Sequence, residues 1–113
     1  MTAVAVHGVG TSNFGRQPDH ALLTLASEAV HEAFADADVT AVDAVWAGTV
    51  FGGPGVAQRV LRAMGITGIP IITVENACAS GTTAFVEACE AVRTGRYGRV
   101  LVLGLEQMST TFS

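Results

Sequence analysis

The residues best suited to chemistry gather in one stretch, Val74-Glu75-Asn76-Ala77-Cys78-Ala79-Ser80-Gly81. An apolar run, Ile69-Pro70-Ile71-Ile72-Thr73-Val74, leads into it, and a helix-like pattern from Thr82 to Arg93 leads out. The stretch therefore reads as a strand-to-helix turn with a cysteine at or near the first turn of the helix. Free backbone N–H groups and the positive end of the helix dipole favour a thiolate there. Ala77, Ala79 and Gly81 keep the surroundings small, which lets a carbonyl compound approach the sulfur. A nucleophilic thiol is one reading. A buried, inert cysteine is the commoner fate of the residue, and local chemistry alone leaves both open.

The elements that must position this turn follow from periodicity. Ala3 to Val9 is an apolar run interrupted by His7 and closed by Gly8 and Gly10, predicting a first strand buried on both faces. Thr11 to Pro18 predicts a loop. Asp19 is a candidate N-cap for a helix through about Asp38, with Leu22, Ala26, Ala29, Val30, Ala33, Phe34 and Ala37 on its inner face. Val42 to Phe51 predicts a second strand ending at Gly52-Gly53-Pro54-Gly55. Pro54 suits the first turn of a second helix, with Ala57, Val60, Leu61 and Met64 inward and Gly65 as its C-terminal cap. Ile69 to Val74 is the third strand. Ser80 to Thr94 is the third helix, with Ala84, Phe85, Ala88 and Val92 inward and Gly95 as cap. Arg99 to Leu105 is an almost wholly aliphatic fourth strand, and so a central one. The order β-α-β-α-β-α-β calls for a mainly parallel sheet with helices on both faces.

Composition sets the bounds. The chain has 113 residues, 50% of them hydrophobic and 14% charged, enough for one modest domain with a real core. The formal charge of −4 and the lack of a basic cluster argue against nucleic acid as a partner. No apolar run approaches the ~20 residues that span a bilayer, and the start lacks the basic segment of a signal peptide. These features predict a cytoplasmic protein. Cys78 and Cys89 lie eleven residues apart. On one helix that is roughly 16 Å at 1.5 Å per residue, too far for a disulfide. No Cys or His stands beside them at metal-ligand spacing, so they read as two thiols.

Three segments carry a resemblance. Asn76-Ala77-Cys78-Ala79-Ser80-Gly81 resembles the nucleophile segment of the thiolase superfamily, close to N-x-C-[AG]-[ST]-G. Gly104-Leu105-Glu106-Gln107-Met108-Ser109 resembles its G-x-E-x-M-S segment, and Gly55-Val56-Ala57-Gln58-Arg59 stands where the family has a similar one. The forms here look most like the sterol-carrier-protein type of thiolase and the acetyl-CoA acetyltransferase branch. The resemblance covers residues 1–113 as an N-terminal half-domain, about half of a thiolase.

The resemblance implies that Cys78 attacks an acyl-CoA carbonyl and carries the acyl group as a thioester, its backbone N–H serving an oxyanion hole. It implies support from Asn76, Gly81 and Glu106. Asn76 would hold the turn or a dimer contact. Glu106 would order hydrogen bonds near the site, although a strand-end carboxylate capping a neighbouring loop is an equal reading of the same residue. The implied reaction is Claisen condensation or thiolytic cleavage of a 3-oxoacyl-CoA, with coenzyme A thioester as substrate and no permanently bound cofactor. The family draws its catalytic base and main CoA-binding loops from its C-terminal half. His7, His20 and His31 stand in none of the family's base motifs, so this chain alone should not turn over.

The family pairs about its nucleophile-bearing strand. Residues 69–76 are therefore expected at a homodimer contact that a charged residue at Ile71 or Ile72 would disrupt. A sheet clad on two faces also needs an identical chain or another partner to cover what one half leaves open. Three alternatives remain: a thiolase-like aldolase subunit working with an acyl-CoA-binding partner, a ketoacyl-synthase-like condensing enzyme, and a non-catalytic assembly subunit.

Overall fold

The computed structural model describes residues 3–17 and 19–111; the expectations placed on Met1-Thr2, Pro18 and Phe112-Ser113 lie outside them. The ordered elements are α1 (Leu22–Ala37), β1 (Ala44–Gly48), α2 (Val56–Ala63), β2 (Ile71–Val74), α3 (Ser80–Arg93), β3 (Val100–Gly104) and the short α4 (Met108–Thr111). The three strands form a parallel sheet in the order β2-β1-β3. The α/β class holds, with three paired strands among the described residues.

Connection handedness explains the layers. The chain moves one way from β1 through α2 to β2, then reverses through α3 across β1 to β3. Right-handed crossovers taken in opposite directions put their helices on opposite faces. One core accordingly packs α1 and α2 on the sheet through Val30, Val45, Val60, Leu61, Leu101 and Leu103. The other packs α3 on it through Ala44, Trp46, Ala84, Ala88 and Ala91. Trp46 meets Tyr97 edge to face at 5.9 Å, an aromatic geometry favoured by the ring quadrupoles. All five residues of β1 are buried, as the central strand requires.

Asp43 sets the register at the start of the strands. Its N–H donates to the Arg99 carbonyl at 2.8 Å, and its carboxylate accepts the N–H groups of Gly98 and Arg99 at 3.1 and 3.0 Å.

Several boundaries differ from expectation. Among the described residues, 3–9 pair with no strand, and Val6 and Val9 are exposed. Instead the segment lies on α1: a Cβ on Gly8 would stand 2.6 Å from the Ala33 carbonyl oxygen, and one on Gly10 2.2 Å from that of Ala29. The apolar run reads as a strand because nothing local reveals that no strand lies beside it. β3 is an edge, not the centre, because β1 pairs with both other strands.

Helix α1 starts at Leu22 with Ala21 as its N-cap residue; Asp19 sits in the preceding turn, where the His20 N–H donates to the Gln17 carbonyl. Pro54 precedes α2 rather than opening it, since Gly55 at φ 71° takes the chain out of the helical path. Phe85 is exposed on α3, and Ala91 takes the inward place. Gly65 and Gly95 follow their helices at φ 80° and 79°, as caps of this kind require.

Candidate active site

The register aligns Gly48 with both Val74 and Gly104, so all three strands end together on one edge. The chain leaves β1 toward the α2 face and β2 toward the α3 face. Open α/β sheets bind their ligands at the carboxyl ends of their strands, where such connections diverge. Cys78 follows the end of β2 on this edge.

Its turn is tightly held. Cys78 is exposed and lies two residues before α3, near its first turn. Ala77, just before it, adopts φ 48°, a left-handed conformation that non-glycine residues take only where their surroundings impose it. The imposing groups can be named. Ser80 is buried, and its hydroxyl accepts the Asn76 N–H and donates to the Ala77 carbonyl, each at 2.7 Å. The Ala79 N–H donates to the Asn76 carbonyl at 3.0 Å, and the Ser80 N–H to that of Ala77 at 3.2 Å. Asn76 Nδ2 donates to Thr83 Oγ1 at 3.0 Å, fastening the turn to α3. Glu75 accepts the Ala77 N–H at 2.6 Å.

Gly48 permits the close approach of α3 to β1. A Cβ there would stand 2.4 Å from the Ser80 carbonyl oxygen and 2.7 Å from the Gly81 nitrogen. A Cβ on Gly81 itself would meet nothing within 4 Å, so its own smallness leaves open space on the first turn of α3.

Glu106 acts at the end of β3 on the same edge. Its carboxylate accepts the Val50 N–H at 2.8 Å, the Phe51 N–H at 3.0 Å and the Thr49 hydroxyl at 3.3 Å. The buried Thr49 oxygen accepts the Gly52 N–H at 3.0 Å. The carboxylate thus ties the end of β3 to the loop after β1, the loop-anchoring reading of this residue. Gln58 and Arg59 in the third sequence segment also serve position: Gln58 Nε2 donates to the Ile71 carbonyl at 3.2 Å and Arg59 Nη1 to that of Pro54 at 2.7 Å.

Sequence reasoning missed Gly48 and Thr49 as parts of the site, and it placed Ser80 in the key stretch without giving it a role. A serine at the helix start was the available signal for one. Gly48 carries no signal, because only the fold brings α3 against it. His20 comes near the Glu106 segment, its carbonyl accepting Gln107 Nε2 at 2.6 Å while its ring meets Gln17 Oε1 at 2.8 Å.

Comparison with known proteins decides the family. Residues 4–112 match the model of the thiolase N-terminal domain. The chain belongs to that family. It is 42% identical over 115 residues to human sterol carrier protein 2, covering 96% of this chain and 21% of that protein. The chain therefore spans about a fifth of that relative's length.

Among solved structures, 3-oxoacyl-(acyl carrier protein) synthase III from Pseudomonas aeruginosa PAO1 superposes with a TM-score of 0.74 at 25% identity, over 87% of this chain and 32% of that one. The Ltp2-ChsH2(DUF35) aldolase superposes with a TM-score of 0.67 at 28% identity, over 80% of this chain and 24% of that one. Among the described residues, no helix of this thiolase-family chain is long and apolar enough to cross a membrane.

Proposed function

We propose that this chain carries the nucleophile of a thiolase-type acyl-CoA acyltransferase, with Cys78 as the residue that is acylated. The observation that supports this most is the exposed Cys78 on a hydrogen-bonded left-handed turn that follows β2 at the shared strand-end edge. The Cys78 thiolate adds to the thioester carbonyl carbon. The bond from that carbon to the coenzyme sulfur breaks, and the released coenzyme thiolate takes up the proton the cysteine gave. The acyl group then passes to a carbon nucleophile in condensation; in the thiolytic direction the bond cleaved first is the carbon–carbon bond of a 3-oxoacyl-CoA.

The backbone N–H of Cys78 donates to the developing oxyanion, and the Ser80 and Asn76 bonds keep the turn from relaxing. Glu106 is a positioning residue for the facing loop. No resident cofactor takes part; the coenzyme A thioester is substrate. The catalytic base comes from polypeptide outside these residues, so the chain alone accepts an acyl group without turning over. Its two free thiols fit a reducing, cytoplasmic setting. A homodimer forms through β2, whose outer edge is unpaired among the described strands.

A thiolase-like aldolase subunit, working with an acyl-CoA-binding partner, is the second reading, favoured by the likeness to the Ltp2-ChsH2(DUF35) aldolase. Mapping acyl adducts after exposure to acetyl-CoA separates the two, since only the first reading requires acylated Cys78.

A further inference from the structure

Glu75 has no part in the acyl transfer proposed for Cys78, yet it is the first residue after β2 and immediately precedes the cysteine turn. The residue is exposed, and its Oε2 accepts the Ala77 N–H at 2.6 Å. That bond folds the carboxylate back onto the turn instead of letting it extend into solvent. Ala77 N and Cys78 Cα are four bonds apart, less than about 5 Å. The carboxylate therefore lies within roughly one Debye length, about 8–10 Å at moderate salt, of the Cys78 thiol.

This charge has no cation paired with it. No lysine or arginine lies between Arg62 and Arg93, and among the described residues the one ion pair, Arg93 with Glu90, is at the far end of α3. Arg59 directs Nη1 to the Pro54 carbonyl. Glu106 adds a second carboxylate to the same strand-end edge. The start of α3 contributes about half a positive charge, which draws anions to the turn. A full negative charge held on the turn outweighs it.

We propose that Glu75 sets the charge of the acyl groups that Cys78 accepts: neutral acyl thioesters are taken up, and those with a second carboxylate, such as malonyl, are held off. The inference rests on Cys78 as the acyl-accepting nucleophile. In either transfer the Cys78 thiolate displaces the coenzyme thiolate from the carbonyl carbon, so the bonds made and broken are the same. What differs is the acyl carboxylate, which must approach the thiol and so comes within reach of Glu75. With water-like screening, two like charges about 7 Å apart lower the rate about threefold.

Glu75→Gln keeps an oxygen for the Ala77 N–H and removes the charge. Cys78 alkylation is compared for neutral iodoacetamide and anionic iodoacetate, and Cys78 acylation for butyryl-CoA and malonyl-CoA, in wild type and variant. A change in thiolate fraction cancels in each ratio. At about 10 mM salt the variant should raise the iodoacetate-to-iodoacetamide and malonyl-to-butyryl ratios about threefold. At about 1 M salt, where the Debye length is about 3 Å, wild type and variant should agree. Salt should also raise the alkylation ratio of folded wild type more than that of the urea-unfolded chain, a reading that needs no variant. Ratios that Glu75→Gln leaves unchanged, or shifts equally at both salts, overturn the proposal. So does a shifted alkylation ratio beside an unshifted malonyl-to-butyryl ratio. No adduct from either thioester overturns the acyl-transfer reading and this proposal with it, whereas failure in the ratios alone leaves Cys78 as the nucleophile.

Discussion

The carboxylate of Glu106 receives the backbone N–H of Val50 at 2.8 Å across 56 residues of sequence, joining the loop after β1 to the end of β3. Asp43 makes the matching connection at the other end of the same strand pair, through Gly98 and Arg99. Two carboxylates thus fix where β1 and β3 begin and end. Replacing Glu106 with alanine removes charge-assisted bonds to Val50 and Phe51, and should cost about 2–3 kcal/mol. Urea unfolding gives the loss, and amide exchange at residues 50–52 should accelerate. Glu106→Gln, which keeps one acceptor oxygen, should lose less. Equal stability of wild type and Glu106→Ala would refute the anchoring role.

Ser80 should behave as a clasp for the cysteine turn. Ser80→Ala leaves the Asn76 N–H and the Ala77 carbonyl without the bonds that hold Ala77 at φ 48°. We expect a loss of about 1–3 kcal/mol in stability. Cys78 should also lose any preference for acyl-CoA over a small alkylating agent. A variant that unfolds like wild type and keeps that preference would show that the turn holds itself.

Gly48→Ala tests the approach of α3 to β1. The added methyl group meets the Ser80 and Gly81 backbone, which cannot yield as a flexible side chain would. Overpacking of this kind costs about 1–3 kcal/mol, visible as a lower urea midpoint. Alanine at Gly81, by contrast, meets nothing and should be tolerated or mildly stabilising at a helical site.

These residues show what a sequence yields and what it withholds. The strand around Trp46, the amphipathic face of α2 and the glycines after α2 and α3 are local patterns, and each lies where periodicity or turn chemistry puts it. Cys78 and Glu106 stand out because strand ends are recognisable and their segments resemble known ones. Gly48 and Thr49 are silent, since their partners are brought to them by tertiary contact. Ala3 to Val9 shows the opposite error: an aliphatic run looks like a strand whether or not another strand lies beside it.

The fold also changes how the proposed dimer edge is best tested. Ile72 packs against the Trp46 cluster, so a charge there would disturb the core as well as any interface. Thr73 is exposed on β2, and its backbone groups point away from β1, because Val45 and Thr49 donate to the carbonyls of Pro70 and Val74. Thr73→Pro removes an outward donor and spares the ladder with β1. Light scattering should show a dimer for the wild type and a monomer for this variant, with similar melting of the monomer fold. An unchanged dimer would place the contact elsewhere.

The most direct test of the account is acylation of Cys78. Wild-type chain and Cys78→Ser are incubated with acetyl-CoA, and adducts are located by intact mass and peptide mapping. A parallel series uses iodoacetamide, and both are repeated in urea. The account predicts an acetyl group on Cys78 of the folded wild type and none in the variant. Its preference for Cys78 over Cys89 should exceed that shown by iodoacetamide and vanish on unfolding. No adduct, or a preference no greater than simple exposure gives, would contradict the assignment of Cys78 as the acyl-accepting nucleophile.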